Sequence, residues 1–141
     1  MFNNKLFYGM LLGSSILATS CSQKTSNPMW NNQNPFFSES KLPYHTADFS
    51  KIKSEDFKPA LLQGMVEQLA EIEKIANNSA KPTFENTLVE MEKSGQLLAR
   101  VSHVFGLLTG ADTNETLQAV EEELSPKFAA HSDAIYLNDQ L

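Results

Sequence analysis

The sequence predicts an all-α fold, because apolar side chains recur at helical spacing in three stretches. They return every three or four residues between 61 and 76, between 84 and 108, and between 117 and 136. This spacing gathers them on one side of a helix, where packing against neighbouring helices can bury them. We therefore expect amphipathic helices around a shared apolar core.

The first helix is expected to begin near Pro59, since a proline in the first turn loses no intrahelical hydrogen bond. Its stripe ends at 77–82, where Asn, Ser and Pro favour a turn. The preceding segment, 34–54, has no regular period. We expect it to be extended and attached to the core by its aromatic side chains, Phe36, Phe37, Tyr44 and Phe49.

The second helix is expected to begin at Thr83, whose hydroxyl can cap the first free N–H groups. Glu85 in the first turn complements the positive end of the helix dipole. We expect one continuous helix from here through Gly95 to Leu108, with an apolar arc wide enough to contact more than one neighbour. A glycine within the stripe indicates a close approach of two helices, which offsets its low helix propensity.

Two further helices are expected. The residues Thr109-Gly110-Ala111 break the pattern, and Asp112 with Glu115 resembles a capping box that opens a short helix over 117–124. Ser125-Pro126 then reads as the N-cap and first residue of a last helix. The printed sequence stops at Leu141 within an apolar pattern and without a C-cap glycine. We therefore expect this end to be a truncation.

The first 20 residues predict a secretory signal peptide, with Lys5 followed by the apolar run 6–17. That run is too short for the roughly 20 residues that span a bilayer. Cys21 is the only cysteine, and it follows small residues as in the lipobox of bacterial lipoproteins. We expect Cys21 to be lipidated, which anchors the chain to a lipid bilayer. An ordinary signal peptide followed by a free thiol is the alternative.

Cleavage before Cys21 would remove one basic residue and leave 10 basic and 17 acidic side chains, a net charge of −7. Such a charge disfavours binding to nucleic acid. Residues 21–33 are polar and predict a flexible tether, and 34–141 form the helical segment. Ser22 after the cysteine resembles lipoproteins of the outer membrane. The expected location is therefore the bacterial cell envelope, with the chain facing the periplasm.

A series of short segments resembles one family of enzymes. The segments are Asn34-Pro35-Phe36-Phe37, Leu42-Pro43-Tyr44, Phe57-Lys58-Pro59-Ala60, Gln68-Leu69-Ala70-Glu71-Ile72, Pro82-Thr83-Phe84-Glu85-Asn86-Thr87, Glu92-Lys93-Ser94-Gly95 and Ala129-Ala130-His131-Ser132-Asp133-Ala134-Ile135-Tyr136-Leu137-Asn138. In this order they resemble the N-terminal part of bacterial peptidyl-dipeptidases, which belong to the thimet oligopeptidase family of zinc metallopeptidases. The resemblance covers 34–141.

The resemblance implies a larger, mostly helical, two-lobed enzyme that removes dipeptides from the C-terminus of oligopeptides. These helices would help to cover its substrate channel. The family holds zinc with a His-Glu-x-x-His helix and a later glutamate, and the glutamate of the motif activates the zinc-bound water. The printed sequence contains no such motif. We therefore assign no catalytic and no metal-binding residue to it, and expect this chain alone to be inactive.

The three histidines do not form a metal pair, since none has a second histidine four residues later. His103 lies beside the stripes of the second helix, and we expect it to be partly buried and structural. His131 and Asp133 are two residues apart on a helix and so point to different sides. The triple carboxylate 121–123 is expected to be a solvated helix face.

A second function remains open, that of a small helical lipoprotein that binds a partner or a peptide and has no enzymatic activity. Such a protein would have to bury its apolar stripes within about 110 residues, in a closed bundle or an oligomer. The gene sequence after Leu141 distinguishes the two, because only the enzyme requires a downstream His-Glu-x-x-His.

Overall fold

The computed structural model describes residues 33–141, which contain four α-helices and no β-strand. The helices are α1 (Ser54–Ala76), α2 (Glu90–Lys93), α3 (Gln96–Ala111) and α4 (Glu115–Tyr136). The predicted all-α fold is confirmed for this part of the chain. The predicted signal peptide, Cys21 and all of the tether except Gln33 lie outside the described residues.

Helix α1 lies between α3 and α4. It runs antiparallel to α3, because Phe57 packs near Phe105 at one end, with ring centroids 5.4 Å apart, and Gln68 reaches Ser94 at the other. It runs parallel to α4, because Ser54 at the start of α1 bonds to Asn114, the N-cap of α4, and Gln68 later in α1 bonds to His131 later in α4. The core therefore lies on both sides of α1.

The core is continuous across α1, α3, α4 and the segment before α1. Its buried members are Phe36, Phe57, Ala60, Leu61, Met65, Leu97, Leu98, Val101, Phe105, Leu117, Val120 and Leu124. The closest approach of α1 and α3 is at Gly64, where an added Cβ would lie 2.8 Å from the backbone of Leu98. The absence of a side chain at Gly64 thus allows the two helices to touch.

Helix α1 begins five residues earlier than predicted, at Ser54, so Pro59 lies inside the helix. The carboxylate of Asp56 accepts a hydrogen bond from the Lys53 N–H at 2.8 Å, which starts the helix upstream of the proline. Pro59 lacks the N–H that would bond to the carbonyl of Glu55. Glu55 is exposed, so water can take the place of that donor.

The predicted continuous second helix is wrong, although its start is confirmed. Thr83 caps it, since its hydroxyl accepts a hydrogen bond from the Asn86 N–H at 3.1 Å. The chain then forms a wide helical turn over Phe84–Val89, continues as α2, and breaks at Gly95, which has φ 69°. A left-handed residue cannot continue a right-handed helix, so α3 starts anew after it.

Of the two predicted breaks near α4, the first lies at 112–114, a few residues later than predicted, and the second is wrong. Helix α3 continues to Ala111, and α4 is capped by Asn114, whose side chain accepts from the Leu117 N–H at 3.0 Å, so Asp112 is not the cap. Helix α4 is continuous across Ser125-Pro126. Pro126 lacks the N–H that would bond to the carbonyl of Glu122, and since Glu122 is an exposed residue, water can take the place of that donor.

The segment before α1 contains two short 3₁₀ turns, Pro35–Phe37 and Pro43–His45. Phe36 is buried as predicted, with its ring centroid 5.0 Å from that of Phe57. Tyr44 and Phe49 are exposed, so the prediction that they attach the segment to the core is wrong. Among residues 33–141, no helix is long and apolar enough to span a membrane.

Candidate functional site

A concavity lies between α3 and the segment 33–52, which we call the strap. This cleft has a volume of about 600 Å³. Its lining includes apolar, cationic, anionic and imidazole groups, among them Phe36, Glu39, Lys41, Leu42, His45, Asp48, Lys51, Ile52, Arg100, His103 and Val104. Sites for small ligands in proteins combine a mostly apolar wall with a few polar groups at this size.

Three contacts hold the strap against the bundle. Asn34 Nδ2 donates to the Asp56 carbonyl at 2.7 Å, within the turn of α1 that Pro59 disturbs. Phe36 packs into the core, and its carbonyl accepts a hydrogen bond of 2.8 Å from Nη2 of Arg100 on α3. These contacts fix the first turn of the strap, Pro35–Phe37, to α1 and α3.

The strap turns sharply at Tyr44 and His45, which have φ values of 57° and 55°. The left-handed conformation costs non-glycine residues about 1–2 kcal/mol each. The side chain of Tyr44 is 96% exposed, so burial does not offset this cost. The bend places His45 in the cleft lining, where Nδ1 lies 3.0 Å from the Ser40 carbonyl and can donate to it. Strained backbone of this kind is enriched at functional sites.

Two of the carboxylates near the cleft already have cationic or imidazole neighbours. Asp48 lies 2.8 Å from Lys51, and hydrogen bonds from Lys51 and Ser50 hold the pKa of Asp48 below its usual value. Glu39 lies 3.5 Å from Nδ1 of His45. The charge of Asp48 is therefore balanced within the strap, whereas His45 offsets that of Glu39 only when its ring is protonated.

Two cations of the lining have no such partner. Within residues 33–141, no carboxylate lies at ion-pair distance from Lys41 or Arg100. Arg100 is the only arginine in the sequence, and its Nε is buried without a hydrogen-bond partner in this part of the chain. A buried donor left unpaired costs about 1–3 kcal/mol. The guanidinium is thus held in place by one bond and has further donors unused.

A second polar cluster, which we call the buried bridge, joins α1, α4 and the break before α3. His131 Nε2 donates to Gln68 Oε1 at 2.8 Å, and Gln68 Nε2 donates to the Ser94 hydroxyl at 3.3 Å. The Gly95 N–H donates to a carboxylate oxygen of Glu71 at 2.8 Å. Burial lowers the pKa of His131 below 6.5, which favours the neutral ring. Every member links two elements, so the bridge is structural.

The histidines differ from expectation in their surroundings. His103 is exposed and lines the cleft, so the prediction that it is partly buried is wrong. His131 is buried and bonds to Gln68 on α1, not to its neighbour Asp133. All of 121–123 are exposed, as expected for a solvated face. Within that face Glu123 bridges Lys58 and Lys127, a contact between helices that sequence reasoning missed.

Sequence reasoning also missed Arg100 and the strap. The one available signal was a lone arginine beside the apolar residues of the second stripe, where a charge needs a partner. No set of three His, Cys, Asp or Glu side chains in the described part of the chain is placed to hold a metal ion. The zinc implied by the family resemblance therefore does not fit residues 33–141.

Comparisons with known proteins agree with the resemblance in sequence. No protein-family model matches the chain. It is 44% identical over 108 residues to a dipeptidyl carboxypeptidase of Salmonella typhimurium and 43% identical over 108 residues to one of Escherichia coli. Each match covers 77% of this chain but only 16% of the relative. Most of this chain is therefore similar to a short segment of bacterial dipeptidyl carboxypeptidases.

Proposed function

We propose that this chain is part of a zinc-dependent peptidyl-dipeptidase of the thimet oligopeptidase family, which releases dipeptides from the C-terminus of oligopeptides. The observation that carries the proposal is the 44% identity to a dipeptidyl carboxypeptidase over 108 residues. Because the chain spans 16% of that relative, the activity would belong to the longer protein. The zinc ligands would lie outside the printed sequence.

Within such an enzyme, the helices of this chain would help to cover the substrate channel. Several large apolar side chains of the described residues support contact with further polypeptide, since they are exposed here: Val66, Phe84, Leu88, Leu107, Tyr136 and Leu137. Exposed apolar groups in such number are typical of surfaces that another protein region covers. A cover of this kind restricts the active site to short, unfolded peptides.

The same protein would be anchored to the bacterial envelope through an acylated Cys21 and face the periplasm. Ser22 after the cysteine favours the outer membrane as the site of the anchor. A test is metabolic labelling of the expressed chain with a radioactive fatty acid, followed by membrane fractionation. The label should appear in the protein and disappear in Cys21→Ala. An equal label in Cys21→Ala would refute lipidation at this residue.

The enzymatic proposal is tested by the gene and by an assay. The reading frame should continue past codon 141 to a His-Glu-x-x-His, and the product of the whole frame should release C-terminal dipeptides from a blocked tetrapeptide. A chelator should abolish the release and zinc should restore it. Zinc-dependent cleavage by purified 22–141 would contradict the proposal, because no set of three His, Cys, Asp or Glu side chains within 33–141 is placed to hold the metal.

A non-enzymatic lipoprotein that binds a partner is the second candidate. The same exposed apolar side chains favour it, since a second polypeptide could cover them as well as a further domain. A stop codon directly after Leu141 in the natural gene, together with a stable complex in envelope extracts, would favour this function. A continuing frame with the zinc motif would exclude it.

A further inference from the structure

We propose that the cleft between the strap and α3 binds an extended peptide through a carboxylate of that peptide. Arg100 is the main residue that binds the carboxylate, and Lys41 lies at the rim. The shared chemistry is a carboxylate on a peptide, either the free C-terminus or an Asp or Glu side chain. The proposal concerns binding alone and does not depend on the proposed peptidase. Each can therefore fail without the other.

The charges of the cleft favour an anionic ligand. Asp48 is paired with Lys51, and Glu39 lies 3.5 Å from His45, whose imidazole is a cation only when protonated. Arg100 and Lys41 have no carboxylate partner in residues 33–141. The cleft therefore has two unpaired cations, in a chain whose net charge is −6. An anionic ligand would balance them, and a guanidinium binds a carboxylate with parallel hydrogen bonds that an ammonium cannot form.

The guanidinium of Arg100 is already held in position before a ligand binds. Its bond to the Phe36 carbonyl fixes the side chain between α3 and the strap. A pre-positioned arginine loses little side-chain entropy when a ligand arrives. Its Nε has no acceptor among residues 33–141 but is itself buried, so a ligand in the cleft would bind the terminal nitrogens of the guanidinium.

The backbone of the strap indicates that the ligand is a peptide. The strap is extended at Ser38 and at Leu42, with ψ values of 148° and 157°. Between them, the N–H groups of 39–41 make no hydrogen bond within the described part of the chain. An extended peptide can pair with such a segment as an added strand, and apolar pockets then accept its side chains. Phe36, Ile52 and Val104 supply that apolar wall.

The test is a binding measurement with the full chain and three fluorescent hexapeptides of one apolar sequence. The first has a free C-terminus, the second a C-terminal amide, and the third an amide with one glutamate near its end. Fluorescence anisotropy reports the dissociation constant. We expect the free carboxylate or the glutamate peptide, or both, to bind at least about tenfold more tightly than the plain amide.

Variants locate the binding site. Arg100→Lys keeps the charge but loses the planar fork, so the affinity should fall about tenfold. Lys41→Gln should weaken binding roughly threefold, as expected for an exposed charge. Lys81→Gln is the matched control, because Lys81 is also exposed, has no ion pair among residues 33–141 and lies outside the cleft lining. It should leave the affinity unchanged.

The results can overturn the proposal in three ways. Equal affinity for all three peptides would exclude carboxylate recognition. An equal loss in Lys41→Gln and Lys81→Gln would show general attraction by charge and no site at the cleft. Absence of binding by any peptide at millimolar concentration would exclude the site altogether. Circular dichroism on Arg100→Lys checks its fold, and Lys41→Gln tests the cleft even where Arg100→Lys is unstable.

Discussion

Gly95 is the residue on which the break between α2 and α3 depends. It has φ 69°, and an added Cβ would lie 2.5 Å from the side-chain carbon of Gln68. Gly95→Ala should therefore destabilise the fold by about 1–3 kcal/mol, from backbone strain and displacement of Gln68. Urea unfolding followed by circular dichroism measures the change.

Gly106 provides the control for this substitution. It lies inside α3, is exposed, and an added Cβ would meet no atom within 4 Å. Gly106→Ala should stabilise the protein by about 0.5–1 kcal/mol, because alanine loses less backbone entropy in a helix. If both substitutions had the same sign, the left-handed conformation of Gly95 would not be a constraint in solution.

His131 should make the stability depend on pH. Burial lowers its pKa in the folded protein below the ordinary value of 6.5, so the unfolded chain binds the proton more tightly. The resulting stability is complete above pH 6.5 and is lost as the pH falls from there through the lowered pKa of the folded state. Urea unfolding at pH 7.5 and pH 5.5 should show this loss.

Two glutamine variants separate this effect from other titrating groups. His131→Gln should reduce the difference in unfolding free energy between the two pH values. His103→Gln, at an exposed histidine, should leave that difference as it is in the parent protein. A full pH dependence in His131→Gln would assign the effect to other groups.

At the scale of the element, Pro126 interrupts the hydrogen bonds of α4 without ending the helix. Proline inside a helix is about 3 kcal/mol less favourable than alanine, although it also restricts the unfolded chain. Pro126→Ala should therefore stabilise the protein by about 1–2 kcal/mol, since the residue is exposed and the Glu122 carbonyl regains its donor. Urea unfolding with constant helical signal tests this, and a loss of stability would contradict it.

The helices were predictable from sequence where burial decides, and their ends were not. The stripes of Leu61, Leu98 and Leu124 mark the faces that are in fact buried. Pro59 and Pro126 did not mark helix starts, because the residues that lose a donor to them, Glu55 and Glu122, are exposed and can bond to water. The break at Gly95 was not predicted, because the contacts of this residue are with Glu71 and Gln68, which are distant in sequence.

The cleft was less predictable than the helices. Its walls come from the strap, which ends at residue 52, and from α3, which begins at Gln96, and the two share no sequence pattern. The position of the strap depends on single bonds, such as Asn34 to Asp56 and Arg100 to Phe36. The periodicity of the sequence carries no information on such bonds, and the single arginine was the one signal in the sequence for the cleft.

At the scale of the whole molecule, the described part exposes apolar side chains that a closed bundle would bury. Phe84 and Leu88 are 65% and 51% exposed and lie four residues apart beside α2. We expect the purified chain to self-associate, and the double variant Phe84→Ser, Leu88→Gln to associate less. Sedimentation velocity over a range of concentrations measures this. Val66→Gln, at an exposed site on α1, is the control, and an equal effect there would show that association is not centred on Phe84 and Leu88.

The parallel packing of α1 and α4 has a consequence for the order of folding. Its bonds join residues 60 or more positions apart, as between Ser54 and Asn114 or Gln68 and His131. The α1–α3 pair closes shorter loops, such as that from Gly64 to Leu98. Long loops cost more entropy to close and slow the formation of their contacts. During synthesis, α1 and α3 can therefore pair before α4 arrives, and α4 adds to a surface that is already formed.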